Sequence, residues 1–220
     1  NLGTLLALIF YFRKRIWKII TDVFHERNYK LAINIVITCI PAGLAGLLLG
    51  DLIENSDFFN SIFTVAGAMG IVGIIIVLIG KLPHMSKLEN EEHLTPVRAL
   101  IIGILQTFAL IPGTSRSGTT IIAGRLTGLD SESAAEYSFL ASIPLMCAVC
   151  LKMFLSETGR TYFAANVGPL LLSNLVALIV GWLALTFVLS YLKKPKSLQS
   201  FGKYRIIVAC LVIGTMLILV

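Results

Sequence analysis

Five apolar runs, Leu31 to Gly50, Phe58 to Gly80, Ala134 to Leu155, Gly168 to Leu192 and Arg205 to Val220, read as segments that cross hydrocarbon about 30 Å thick. Lipid offers backbone groups no hydrogen-bond partner, so a chain of such runs must satisfy its backbone internally, as helices. Charged residues make up only 14% of the 220 residues, against about 25% in soluble domains, which excludes a soluble globular fold. The expected fold is all-α: a polytopic transmembrane helical bundle forming one integral membrane domain over residues 1–220.

The charges between the runs give the topology. Arg13 to Lys30 reads as a basic loop with six Lys or Arg, whereas Asp51 to Asp57 carries three acidic residues and no basic one. Positive loops stay cytoplasmic, so the first lies inside and the second outside. Lys81, Lys87 and Arg98 bring the chain back inside, and Lys193, Lys194, Lys196 and Lys203 mark the last connection as cytoplasmic too. The net charge of +6 therefore reports topology, and no nucleic-acid partner is expected. Cys39, Cys147, Cys150 and Cys210 all lie inside apolar runs, as small apolar helix residues rather than a disulfide framework or a zinc site. The chain opens at Asn1 with Leu2 to Phe12, too short for a span and without the basic start of a signal peptide; the expectation is a chain that begins within a helix.

Counting crossings backward from the last loop places Ser156 to Val167 outside and Leu129 to Ser133 inside. Residues 97–128 must then start and finish on the cytoplasmic side. Val97 to Ile111 is apolar but short, Pro112-Gly113 breaks it, Thr114 to Thr120 is polar, and Ile121 to Gly128 forms a second short half-helix. The expectation is a re-entrant helical hairpin, with small residues (Gly46 and Gly50; Gly67, Gly70 and Gly73; Gly124 and Gly128) letting helices approach around it.

Irregular backbone at membrane depth is tolerated where it lines a wet cavity, so the polar tip marks a site. Arg116 costs roughly 3 kcal/mol near a bilayer centre and asks for an anion; its planar guanidinium fits phosphate. Ser115, Ser117 and Thr120 offer hydroxyls, Gly113 and Gly118 let backbone N–H groups come close, and a half-helix starting at Ser117 or Gly118 would add its partial positive charge. The bland alternative is a helix break with Ser117 as cap and Arg116 snorkelling to the interface. No Walker or dinucleotide glycine pattern occurs, so ATP is not implied.

Pro112 to Thr120 reads P-G-T-S-R-S-G-T-T and matches in full the P-G-x-S-R-S-x-x-T motif of the undecaprenyl-diphosphate phosphatases of bacitracin-resistance type. The resemblance runs on through Ala135-Glu136-Tyr137-Ser138-Phe139-Leu140 and Ile143-Pro144 to Lys203-Tyr204-Arg205, nearly the whole chain. It implies a multi-pass enzyme of the bacterial inner membrane, built from inverted repeats, that hydrolyses undecaprenyl diphosphate to the monophosphate and inorganic phosphate. It also implies Arg116 and Ser115 as catalytic, with Gly113, Thr114, Ser117, Gly118, Thr120 and Gln106 around the lipid substrate. Mg2+ or Ca2+ is implied as cofactor, held by an acidic E-x-x-x-E motif of the N-terminal repeat. That motif is absent from this chain, so the expectation is half a site, inactive alone, with no metal ligand here. His25, His84 and His93 lie in polar loops and are no substitute; Gln106 stands where the motif's first glutamate would, but an amide is no general base. Glu136 is expected to bond locally or to pair with Arg116 or Arg125. A lipid-phosphate transporter or flippase, using half-helix ends in the same way, is the alternative reading, and a non-catalytic scaffold a further one.

Overall fold

The computed structural model describes residues 1–81, 88, 91–194 and 196–219. In chain order the helices are α1 (Leu2–Tyr11), α2 (Arg13–Phe24), α3 (Lys30–Glu54), the single turn α4 (Asp57–Asn60) and α5 (Ile62–Lys81). A 3-10 turn at Glu91–His93 leads to α6 (Pro96–Gln106), which tightens into a second 3-10 turn at Thr107–Leu110. Then follow α7 (Arg116–Leu126), α8 (Ser131–Leu155), α9 (Glu157–Ala165), α10 (Val167–Leu192) and α11 (Ser197–Leu219). No strand occurs among the described residues.

Helices α6, α8 and α9 each start on a side-chain cap. Thr95 accepts from the Arg98 N–H with Pro96 in the first turn of α6, Asp130 accepts from Ser133 N–H at 2.7 Å to open α8, and Ser156 accepts from Gly159 N–H at 3.0 Å to open α9. The long helices α3, α5, α8, α10 and α11 are long and apolar enough to cross a membrane, and they turn large side chains outward: Leu48 is 79% exposed and Leu171 69%. An apolar exterior on this scale suits lipid and no other solvent.

Small residues set the pairings. Gly73 on α5 and Gly202 on α11 face each other so closely that a methyl on either would come within 2.9 Å or 2.7 Å of the other's carbonyl oxygen. Gly103 on α6 meets Thr38 and Pro41 of α3, and Gly124 on α7 meets Ala134 of α8. Helix α1 lies along α10, where its Gly3 N–H donates to Asn174 Oδ1 at 2.7 Å. A buried polar tie fixes α3, α6 and α8 together. Tyr137 Oη bonds the Asn34 carbonyl (2.9 Å) and Thr38 Oγ1 (2.6 Å), Thr38 reaches the Ala99 carbonyl, and Asn34 Nδ2 donates to the Leu94 carbonyl at 2.7 Å. In lipid, such bonds replace the hydrophobic drive that is missing between helices.

Several expectations change. Arg13 to Lys30 is no loop: α2 is an amphipathic helix whose Arg15 bridges Glu91 (2.6 Å) and Glu92 (2.8 Å), with Lys18 also on Glu92. The hydrogen bond from Lys18 is the main reason that the Glu92 carboxyl is held below the ordinary carboxylate range. Lys203 and Arg205 lie inside α11, which begins at Ser197, not in a loop or at a helix start. The stretch Ser156 to Val167 holds α9. Among the glycines, Gly43, Gly50 and Gly67 have nothing within 4 Å of an added methyl, so Gly50 and Gly67 do not serve close packing here. His84 and Lys87 lie outside the described residues.

Candidate phosphate site at the α6–α7 tip

Helix α6 stops earlier than Pro112-Gly113: its regular turns end at Gln106, and the chain passes through the 3-10 turn to an extended Ile111 (φ −70°, ψ 121°). Two residues with positive φ then reverse it, Gly113 at +93° and Ser115 at +69°. Gly113 is needed twice over, because a Cβ there would also strike the Val65 carbonyl oxygen of α5. Ser115 pays the usual penalty of a side chain at positive φ, about 1–3 kcal/mol, and its neighbours hold it there. Its Oγ accepts from the Gly118 N–H at 3.2 Å and its carbonyl accepts from Thr119 Oγ1 and N–H, both at 3.0 Å. Thr114 Oγ1 donates to the Ile111 carbonyl at 2.7 Å, and from α11 the Arg205 Nη2 donates to the carbonyls of Gly113 (2.6 Å) and Thr114 (3.2 Å).

The cap on α7 is thus Ser115, not Ser117, and the helix starts at Arg116. That start places the guanidinium-bearing residue at the positive end of the helix. Among the described residues no carboxylate pairs with Arg116; its electrostatic neighbour is the Cys39 thiol. Arg116 borders two clefts. One, of about 530 Å³, is shared with Gln106 and Lys152 and walled by apolar residues such as Leu47 and Leu145; the other, of about 200 Å³, is shared with Ser117, Ser138 and Ser142. A third cleft of about 370 Å³ touches Ser115, Ser117, Gly118 and Arg205 and is otherwise mostly apolar.

The expected residues divide by where their polar atoms go. Arg116, Ser117 and Gln106 face the clefts, and the Gln106 Nε2 is buried with no partner among the described residues. An orphaned buried donor beside an unpaired guanidinium asks for an acceptor that the protein does not supply. Ser115 borders the third cleft. By contrast, the Thr120 hydroxyl is turned inward: its Oγ1 donates to the Arg116 carbonyl at 2.6 Å and meets Ser138 Oγ at 2.7 Å, tying α7 to α8. Thr114 Oγ1 closes the turn, and the Gly118 N–H is taken by the cap. Glu136 pairs with neither Arg116 nor Arg125; its charged neighbours are Glu91, Glu132, Arg15 and Lys193.

Arg205 is the residue that sequence reasoning passed over. It read as the first residue of a span, whereas a cation eight residues into an apolar helix is the signal that would have singled it out. No group of three His, Cys, Asp or Glu side chains among the described residues is arranged to hold a metal ion.

Residues 1–211 match the family described as bacitracin resistance protein BacA. An undecaprenyl-diphosphatase of Neisseria meningitidis serogroup C is 34% identical over 210 residues, covering 94% of this chain and 76% of its own length. One from Gemmatimonas aurantiaca is 34% identical over 228 residues, covering 98% and 81%, and an undecaprenyl-diphosphatase 1 of Burkholderia pseudomallei is 34% identical over 221 residues, covering 97% and 78%. With a tip that holds an unpaired arginine at a helix start, and relatives of this identity over nearly all its length, the chain belongs to the bacitracin resistance protein BacA family.

Proposed function

We propose that the protein hydrolyses undecaprenyl diphosphate to undecaprenyl phosphate and inorganic phosphate in the bacterial inner membrane, with the α6–α7 tip holding the diphosphate. The observation that carries this reading is Arg116: a guanidinium with no carboxylate partner among the described residues, at the start of a helix, between clefts lined by hydroxyls and apolar side chains. The relatives' name, undecaprenyl-diphosphatase, supports the same substrate.

In this reading the basic face, with Arg15, Lys193 and Lys194, is cytoplasmic, and residues 97–128 enter and leave the membrane from it as a re-entrant hairpin. Water attacks the terminal phosphorus, the bridging P–O bond breaks, the shared oxygen leaves with the lipid monophosphate, and the water's oxygen and both its protons leave on the inorganic phosphate. The protein's task is to place the phosphate in line and to neutralise the charge that develops on it. Arg116 does so as a two-pronged clamp on non-bridging oxygens, assisted by the positive end of α7. Ser117 and Gln106 Nε2 donate to further oxygens, and Ser115 lines the neighbouring cleft, which shares Ser117 with one of the two that Arg116 borders. The apolar clefts accept the isoprenyl chain.

Arg116→Lys tests it. Lysine keeps the charge and loses the planar pair of donors, so phosphate release from a polyprenyl diphosphate should fall by about 100-fold or more in the intact protein. Near-normal release by a well-folded variant would remove the clamp.

A further inference from the structure

A fourth cleft, of about 410 Å³, opens on the basic face, between the α10–α11 connection and the start of α8. It gathers the basic side chains Lys81, Arg125, Lys193, Lys194 and Lys196 against only Asp130 and Glu132. Both carboxylates are already engaged: Asp130 caps α8 through Ser133 N–H, and Glu132 takes Lys193 at 3.0 Å. Arg125 is the decisive residue. Only 6% of it is exposed, Nη1 donates to the Leu129 carbonyl at 3.1 Å, and its Nε is buried with no partner among the described residues. A loop that is merely basic for the sake of topology spreads its cations into water; it does not bury one with a donor unmet beside a cavity. Helices α8 and α11 both begin at this cleft, adding the positive ends of two helices to it.

The cleft has an apolar inner wall. Leu192 and Leu198 line both it and the apolar groove that runs between α10 and α11 past Leu185, Val188 and Phe201 toward the tip. A basic bowl joined to an apolar groove has the two-part chemistry of a lipid phosphate: an anionic headgroup at the interface and a chain among the helices. We propose that this site binds the phosphate of a membrane lipid at Arg125 and the surrounding lysines, with its chain entering the groove across Leu192 and Leu198. The lipid's phosphate ester comes either from an anionic phospholipid of the bilayer or from an isoprenyl monophosphate. The headgroup cleft shares no residue with the tip, the groove reaches the tip only at Ser115, Ser117 and Gly118, and occupancy is read without turnover, so the proposal stands or falls independently of the hydrolytic reading.

The test is native mass spectrometry of the detergent-purified protein titrated with phosphatidylglycerol and with phosphatidylcholine of the same chains. One equivalent of phosphatidylglycerol should be retained, and phosphatidylcholine much less. Lys81→Gln combined with Lys196→Asn should weaken phosphatidylglycerol by about 25-fold, roughly five-fold for each charge removed. Both lysines are exposed and make no ion pair among the described residues, and asparagine tolerates the positive φ of +62° at 196, so the fold is spared. Ala184→Trp, which fills the groove from an exposed position, should weaken binding as well, whereas Arg116→Lys should not. Farnesyl phosphate displacing the phospholipid assigns isoprenyl phosphates to the site, and failure to displace it assigns the site to bilayer phospholipid; both support the proposal. Retention that ignores the lysine pair, that is lost with Arg116→Lys alone, or that is blocked equally by inorganic phosphate overturns it.

Discussion

The tip between α6 and α7 and the seam between α5 and α11 both depend on glycine, yet for opposite reasons. At the seam, Gly73 and Gly202 sit in ordinary helical backbone and are small so that two helices can touch. At the tip, Gly113 takes a φ of +93° that a side chain resists, and Ser115 follows at +69°. The seam satisfies its backbone within each helix and needs nothing from outside. The tip satisfies its carbonyls with a borrowed guanidinium and its own threonines, and what remains, Arg116 and Gln106 Nε2, is left facing a cleft. Strained backbone with unmet donors marks where a ligand completes the structure, and seamless helix packing marks where only stability is at stake.

Gly113→Ala is the substitution that strikes hardest at this contrast. It combines a disfavoured φ with a collision against the Val65 carbonyl, so a loss of roughly 3 kcal/mol is expected, seen as a lowered thermal midpoint in detergent together with lost phosphate release. An unaltered midpoint would show that the tip is less constrained than its geometry says. Gly73→Ala should cost about 2 kcal/mol by overpacking, but molecules that remain folded should hydrolyse at close to the normal rate, because nothing at the seam meets a phosphate. If activity per folded molecule fell as far as in Gly113→Ala, the separation between the two regions would fail.

Arg205 joins the regions, since it grows from the seam helix and holds the tip's carbonyls. Arg205→Met should lower stability by only about 1 kcal/mol, because the loss of two hydrogen bonds is offset by removal of a buried cation with an unmet Nε. Phosphate release should fall further than that, by about ten-fold, since a displaced tip misaligns Arg116. Equal losses in stability and rate would make Arg205 a packing residue alone.

How far the sequence foretold this arrangement depends on the range of the interaction. Run length and charge announced the long helices, and Pro112 to Thr120 announced the tip, because span length and helix-breaking chemistry are local properties. The amphipathic α2 escaped notice because basic residues were read only as topology, although its cations lie one turn apart, at Arg15 and Lys18, where both reach Glu92. The destinations of the Thr114 and Thr120 hydroxyls were equally hidden: hydroxyls at a site and hydroxyls that tie a turn are the same residues in sequence, and only Ser138 on another helix decides which Thr120 is. Arg205 depends on a contact 91 to 92 residues away, beyond any local pattern.

The smallest effect is the most direct check on how glycines were sorted. Gly67 lies on the same helix as Gly73, two turns nearer its start, and its spacing with Gly70 and Gly73 reads in sequence as one small-residue stripe. In the structure only part of that stripe is a contact: a methyl at Gly70 would meet Ala209 Cβ at an ordinary 3.4 Å, one at Gly73 would crowd Gly202, and one at Gly67 would meet nothing within 4 Å. Gly67→Ala should therefore stabilise the protein slightly, by about 0.5–1 kcal/mol, through the lower backbone entropy of the unfolded chain, and leave hydrolysis unchanged. The readout is the thermal midpoint of the alanine variant beside that of Gly73→Ala, in the same detergent. A drop at both positions would mean that α5 has a further neighbour along this face, and the boundary drawn between the packed and the open part of the stripe would have to move.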